Sequence, residues 1–184
     1  MDEIAQAADV RPAGPDDLAD IRYIHAASFR LLAGQQFSEE QIAAFATHVY
    51  GQHYTRSLSE AIRSRSLLCA RLGGELIGTA GWSAADGFGT AARIRWVFVR
   101  PLFTGLGIGR RLVAETELRA GRAGFQAFSA EAPLTAVEFF NHLGYEVSSH
   151  GMRALPRAEG LPVVFLRKGW TQETSAADSN EAWH

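Results

Sequence analysis

The sequence predicts an α+β domain: a mixed, mostly antiparallel sheet of about seven strands with helices on both faces. Three observations carry this reading. Apolar residues recur at helical spacing up to about Arg65 and then switch to period two at Ser66. Gly73-Gly74 separates two alternating runs, which is a two-residue hairpin signal. The stretch from Arg93 to Arg119 reads as strand, glycine-rich turn and helix, in that order.

The elements follow in sequence. Met1 to Ala8 is expected to fray, and Asp9 to Ala13 to form a first strand at a sheet edge, where Pro12 is tolerated. Gly14-Pro15 breaks that strand, and Asp16 or Asp17 caps a helix whose apolar face holds Leu18, Ile21, Ile24 and Leu31; Gly34 ends it. His25 lies on the same side and reads as a hydrogen-bonded core or rim residue. Ser38 with Gln41 forms a capping box for a second helix through Ile42, Phe45 and Val49. A third helix is expected from about Thr55 to Arg65. Strands Ser66–Leu72, Glu75–Trp82 and Ala92–Arg100 then run antiparallel, the last two joined by the Ser83–Thr90 connection. A helix from about Gly107 to Ala123 leads to a strand at Phe125–Glu131, expected parallel to Ala92–Arg100. Pro133 opens a short helix over Leu134–Leu143. Two strands close the domain, Tyr145–Met152 and Val163–Lys168, with a loop from Met152 to Pro162 between them. Residues 1–169 make one domain, and the polar, patternless stretch 170–184 is expected to be a disordered tail.

Composition narrows the classes. With 47% hydrophobic and 21% charged residues in 184, the chain has an ordinary globular make-up. A net charge of −2 argues against a dedicated nucleic-acid binder. One cysteine, Cys69, gives neither a disulfide framework nor a cysteine-based zinc site, and it reads as strand packing. His48 and His53 are five apart and do not share a helix face, so no metal site is expected. No apolar run is long enough to span a membrane, and the acidic N-terminus lacks a signal-peptide layout. A cytoplasmic setting, with no membrane partner, is the expectation.

The chemistry lies in Thr104-Gly105-Leu106-Gly107-Ile108-Gly109. A glycine turn that presents backbone N–H groups at a helix N-terminus is suited to phosphate. Arg110 and Arg111 sit in the first turn, where positive charge opposes the helix dipole and an anion would offset it. The dinucleotide pattern G-x-G-x-x-G fails here: from Gly105 its last position is Arg110, and from Gly107 it is Leu112. The Walker pattern fails because no glycine-lysine-hydroxyl run occurs.

Val99-Arg100-Pro101 followed by Thr104-x-x-Gly107-x-Gly109 resembles the acetyl-CoA loop of the GCN5-related N-acetyltransferase (GNAT) family. The segments VRPAGPDDLADI, LIGTAGW and AVEFFNHLGYEV are similar to other family segments, so the resemblance spans Val10 to Lys168. It implies the acyl-CoA N-acyltransferase fold, with a sheet splayed between Ala92–Arg100 and Phe125–Glu131. It also implies acetyl-CoA as cosubstrate. Val97, Phe98 and Val99 would pair with the pantetheine, and the N–H groups from Gly105 through Leu106, Gly107, Ile108 and Gly109 to Arg110 would hold the pyrophosphate. The N–H of Phe98 or Val99 would be the oxyanion donor.

The chain departs from the family pattern at three places. Thr104 stands where arginine or glutamine is usual, with Arg100, Arg110 or Arg111 as substitutes. Pro133 stands where many members have asparagine. Phe140 occupies the place of a tyrosine often assigned as general acid, and it lines the cofactor site without donating a proton. An alkylamine with a pKa of about 10.4 needs a proton acceptor before it can attack. Glu131, at the end of its strand, is the first candidate base, ahead of Ser129, Tyr50, Tyr54 and Tyr145. The expected acceptor is a primary amine of a small molecule or peptide, bound by the residue 16–65 helices, the Ser83–Thr90 loop and the Met152–Pro162 loop. A homodimer is an open possibility. Two other readings stand beside the enzyme: a non-catalytic acyl-CoA-binding module, which Phe140 favours, and a purely structural glycine turn.

Overall fold

The protein is described by a computed structural model over residues 2–32, 36–85, 90–155 and 158–169. The helix stop at Gly34, the middle of the Ser83–Thr90 connection and the tail from Trp170 lie outside the described residues.

The elements are α1 (Asp2–Ala7), β1 (Asp9–Pro12), α2 (Leu18–Leu32), α3 (Glu39–Tyr50), α4 (Gln52–Arg63), β2 (Leu67–Leu72), β3 (Glu75–Ala84), β4 (Ala91–Val99), α5 (Ile108–Arg122), β5 (Ala127–Ala132), α6 (Val137–His142), β6 (Glu146–Leu155) and β7 (Ala158–Lys168). Short 3-10 turns precede α2, α5 and α6. The seven strands form one sheet in the order β1-β2-β3-β4-β5-β7-β6. Every neighbouring pair is antiparallel except β4 with β5.

Alternation along the strands feeds both faces. Leu67 and Cys69 join the core under α2, α3 and α4, while Leu68 and Ala70 pack with Ile108 and Leu112 of α5. A third cluster, with Val113, Ala130, Phe140 and Tyr145, fills the space between α5, α6 and β5. The capping box forms as expected: Gln41 N–H donates to Ser38 Oγ at 3.1 Å, and Ser38 N–H to Gln41 Oε1 at 2.9 Å. At α2 the capping aspartate is Asp17, which accepts from Gly14 N–H at 2.7 Å and from Arg71 at 2.5 Å. Burial alone would raise the pKa of its carboxyl, but the Gly14 N–H and the Arg71 and Arg11 guanidiniums hold it below the ordinary value.

The fold corrects three expectations. Residues 2–7 are helical rather than frayed, because Arg111 donates to the carbonyls of Ala5, Gln6 and Ala8 and ties α1 to α5. The third helix starts at Gln52, not Thr55, with Gly51 as its N-cap. The stretch Met152–Pro162 is not a long loop: β6 and β7 run on as a ladder to Leu155↔Ala158.

The parallel β4–β5 ladder stops at Ile94↔Ala130. Just beyond, β4 carries one residue more than β3: Gly81 pairs with Arg95 and Thr79 with Phe98. Trp96, at φ 54°, occupies this bulge. A bulge bends its strand and increases the local twist, so β4 turns away from β5 and a gap opens beside residues 95–99.

Candidate active site

A single cavity of about 710 Å³ runs from the glycine turn, through the β4–β5 gap, to a chamber under α2 and α3. That volume lies within the usual range for small-molecule sites.

The turn forms its outer end. Gly107, at φ 82°, is the N-cap of α5 in a left-handed conformation that a side chain would strain. The first bond of the α5 ladder runs from Arg111 N–H to Gly107 O at 3.0 Å, so the N–H groups of residues 107–109 lie ahead of it. A Cβ on Gly109 would sit 3.2 Å from the Phe139 ring. Thr104, Gly105, Gly107, Gly109 and Arg110 all border the cavity, whereas Leu106 and Ile108 do not; the Ile108 side chain is buried against the sheet. Thr104 Oγ1 donates to Pro101 O at 2.7 Å and so braces the turn. Two of the three substitute arginines are engaged elsewhere, Arg100 with Glu75 and Arg111 with α1.

The gap comes next. Arg100 N–H donates to Ile77 O at 2.9 Å. Alternation then turns the Phe98 N–H toward β3 as well, and the N–H groups of Val97 and Val99 toward the open side. Of the two oxyanion candidates, Val99 therefore faces the gap and Phe98 does not. Pro133, Phe139 and Phe140 line the far wall. Phe140 packs edge-on against Tyr145 at 5.2 Å.

The chamber is aromatic, with Phe29, Phe37, Phe45, Tyr54 and Trp96 on its walls. Glu131 is the only carboxylate among the described lining residues, and it accepts from Arg153 Nε at 2.5 Å. Arg93 and Arg95 border the same space. Burial, and then the charges of Arg153 and Arg93, lower the pKa of Arg95. His48 nearby is likewise lowered, by burial first and then by Arg153, His53 and Arg95.

One polar chain backs the chamber. Thr79 Oγ1 donates to the bulge carbonyl of Trp96 at 2.6 Å, which uses its one proton. It must then accept from His25 Nε2–H at 2.8 Å, leaving His25 Nδ1 to accept from the Tyr54 hydroxyl at 2.8 Å. Burial lowers the His25 pKa to about 3, so the ring is neutral, and it holds the Tyr54 phenol well above its ordinary value. The ring of His25 stacks on Phe98 at 4.3 Å. His25 is thus the hydrogen-bonded core residue that its helix position implied. The hand-over to Thr79 was not legible, because it joins residues 54 apart.

Other candidate bases lie away from this chamber. Tyr145 donates to Glu117 at 2.7 Å behind Phe140, and burial holds its phenol well above the ordinary value. Tyr50 is exposed beneath Arg22, and Ser129 is not a lining residue. Among the described residues no cluster of metal-ligating side chains occurs.

A splayed mixed sheet with a glycine turn at the mouth of the splay defines the acyl-CoA transferase class of fold. Comparison with known proteins agrees. Residues 34–154 match the model of the Acetyltransferase (GNAT) domain, which covers more than half of the chain. Among solved structures, a GCN5-related N-acetyltransferase from Rhodopseudomonas palustris is similar at 25% identity and a TM-score of 0.75, covering 89% of this chain and 96% of that one. The PaiA N-acetyltransferase of Thermoplasma acidophilum, in complex with coenzyme A, is 19% identical with a TM-score of 0.71 and coverage of 89% and 99%. YncA of Salmonella typhimurium, a putative acetyltransferase with its cofactor acetyl-CoA, is 18% identical with a TM-score of 0.63 and coverage of 90% and 95%. No curated protein matches the chain. The chain belongs to the GNAT acetyltransferase family and is an acyltransferase.

Proposed function

We propose that the protein transfers an acetyl group from acetyl-CoA to a primary amine of a small molecule or peptide, by direct attack within a ternary complex. The observation that carries this is the continuity of one cavity, which joins a phosphate-suited turn, two strand N–H groups that alternation turns to its open side and a chamber with one carboxylate among its described lining residues. The residues present fit the cosubstrate. Positive φ at Gly105 and Gly107 and the missing Cβ at Gly109 leave room for a ligand to approach the backbone.

Acetyl-CoA supplies an activated thioester. The N–H groups from Gly105 to Arg110 hold its pyrophosphate, with Leu106 and Ile108 contributing backbone only. Val97 and Val99 pair with the pantetheine, and a gap-facing N–H, that of Val99, donates to the thioester oxygen as charge develops there. Glu131 takes the proton from the incoming ammonium, directly or through a water. The amine nitrogen forms the new C–N bond, the C–S bond breaks, the thiolate departs, and the second nitrogen proton passes to solvent or to the departing thiolate. Phe140 cannot protonate it, and a thiol pKa of about 8.5, as for cysteine, makes that tolerable.

The test is release of free thiol over a panel of primary amines. Turnover is expected, and Glu131→Gln should lower kcat by about 10²–10⁴-fold. Phe140 also supports a second reading, a non-catalytic acyl-CoA-binding module. Confirmed coenzyme A binding with no thiol release on any amine would establish that reading instead.

A further inference from the structure

The chamber has a charge imbalance that acetyl transfer to a plain amine leaves unexplained. Three arginines, Arg93, Arg95 and Arg153, line the chamber end of the cavity beside Glu131, the one carboxylate among the described lining residues. Arg153 is matched to Glu131. Arg95 is only partly exposed, its guanidinium lies 4.4 Å from the centroid of the Trp96 ring, and Glu131 attracts it without forming an ion pair with it. Among the described residues no carboxylate lies within ion-pair distance of Arg95 or Arg93. A guanidinium drawn partly out of water without a carboxylate paired to it is costly. His48 does not supply one: it is a base whose neutral form is favoured here.

Two further groups point the same way. Ser28 Oγ and Trp96 Nε1 are buried without a hydrogen-bond partner, and both residues border this cavity. Buried polar atoms are normally paired. Both can donate, as can the arginines. This set of donors lies apart from the one used for coenzyme A: Arg93 and Arg95 precede the bulge, and the glycine turn follows the end of β4, a separation on the order of 10 Å. The cosubstrate phosphates are therefore not its counter-charge. The remaining walls, including Phe29, Phe37 and Phe45, are apolar.

We infer that the acceptor is an amine that also carries a carboxylate on an apolar body, an uncharged-side-chain amino acid in chemical type, with its carboxylate seated on Arg95 and flanked by Arg93. This rests on the acetyl-transfer reading only for the amine. Arg95 binds the anion, Ser28 and Trp96 offer secondary donors, and the phenylalanines cover the side chain. An unionised amide in place of the carboxylate would leave the guanidinium unmatched.

The experiment is calorimetric titration of the full chain, saturated with coenzyme A, using N-acetyl-leucine, N-acetyl-phenylalanine and N-acetyl-tryptophan and the matching amides. At least one acid should bind about 10–100-fold more tightly than its amide, as expected for a charge-assisted bond. Arg95→Gln should abolish that preference and Arg95→Lys should keep part of it. Equal binding of acid and amide, binding of none of the acids, or an undiminished preference in a folded Arg95→Gln would overturn the inference. The wild-type comparison stands even if the variant does not fold. Thiol release separates the two readings. Acid-selective binding without turnover sinks acetyl transfer and keeps the carboxylate seat. Turnover of amines with no acid preference does the reverse.

Discussion

His25 shows how one residue can support a site without touching substrate. Its neutral ring holds Thr79, Thr79 holds the bulge carbonyl of Trp96, and the ring face packs on Phe98. Its pKa falls from 6.5 in the unfolded chain to about 3 in the fold. Between these values the unfolded state binds the extra proton. The contribution is therefore complete above pH 6.5 and is lost as pH falls toward 3, at up to about 1.4 kcal/mol per unit. Urea denaturation at a series of pH values should show that slope, and His25→Gln should flatten it while lowering stability at pH 7. Asp17 acts in a lower window. Its depressed pKa keeps its contribution above the unfolded carboxyl value of 3.8 and loses it only as the folded carboxyl protonates. Residues of this kind were half legible. Position on an apolar helix face marked His25 as core, but partners 29 and 54 positions away, Tyr54 on α4 and Thr79 on β3, depend on how the helices pack on the sheet. The same limit hid the Glu131–Arg153 pair, which spans 22 positions and forms only because β6 and β7 extend further than their apolar runs.

At the scale of elements, the glycine turn and α5 were readable because their signals are local. Three glycines remove side chains where the backbone must stay open, and Ile108, Leu112 and Thr116 follow at i+4 spacing. Gly109→Ala would bring a methyl to 3.2 Å from Phe139. It should raise the Kd for coenzyme A about tenfold, equivalent to about 1.4 kcal/mol, measured by titration calorimetry. The short helix α1 was not readable, since its six residues are too few to stabilise themselves. Its anchor is a single side chain more than a hundred positions away. Arg111→Met should cost about 1–3 kcal/mol by unsatisfying those carbonyls. Amide exchange at residues 3–8 should accelerate, and coenzyme A binding should persist. Loss of that binding would instead return Arg111 to the phosphate site.

For the whole molecule, alternation and hairpin chemistry predicted seven strands with one parallel pair, and the structure agrees in number and direction. The splay itself came from family resemblance, because no periodicity encodes where a ladder stops. A ligand that fills the gap binds the folded chain alone. Coenzyme A at about 100 times its Kd should add about 2.7 kcal/mol and raise the melting temperature by roughly 5–10 °C. No shift at millimolar coenzyme A would mean that the turn is only structural. The acceptor chamber was the least legible part, since its walls come from α2, α3, α4, β4, β5, β6 and β7 and meet only in the finished fold.

Trp96 is, in effect, one residue of surplus length. β4 spends it on the bulge, and the sheet stays open for as long as that surplus is present. Length, rather than side-chain identity, is then the variable that matters most there. Replacing Trp96 by another large residue leaves the count unchanged. Deleting it should let residues 95–99 fall back into step with both neighbours and extend the parallel ladder over Glu131. The resulting chain would have a better-paired sheet and no slot, and titration should find it folded yet unable to bind coenzyme A.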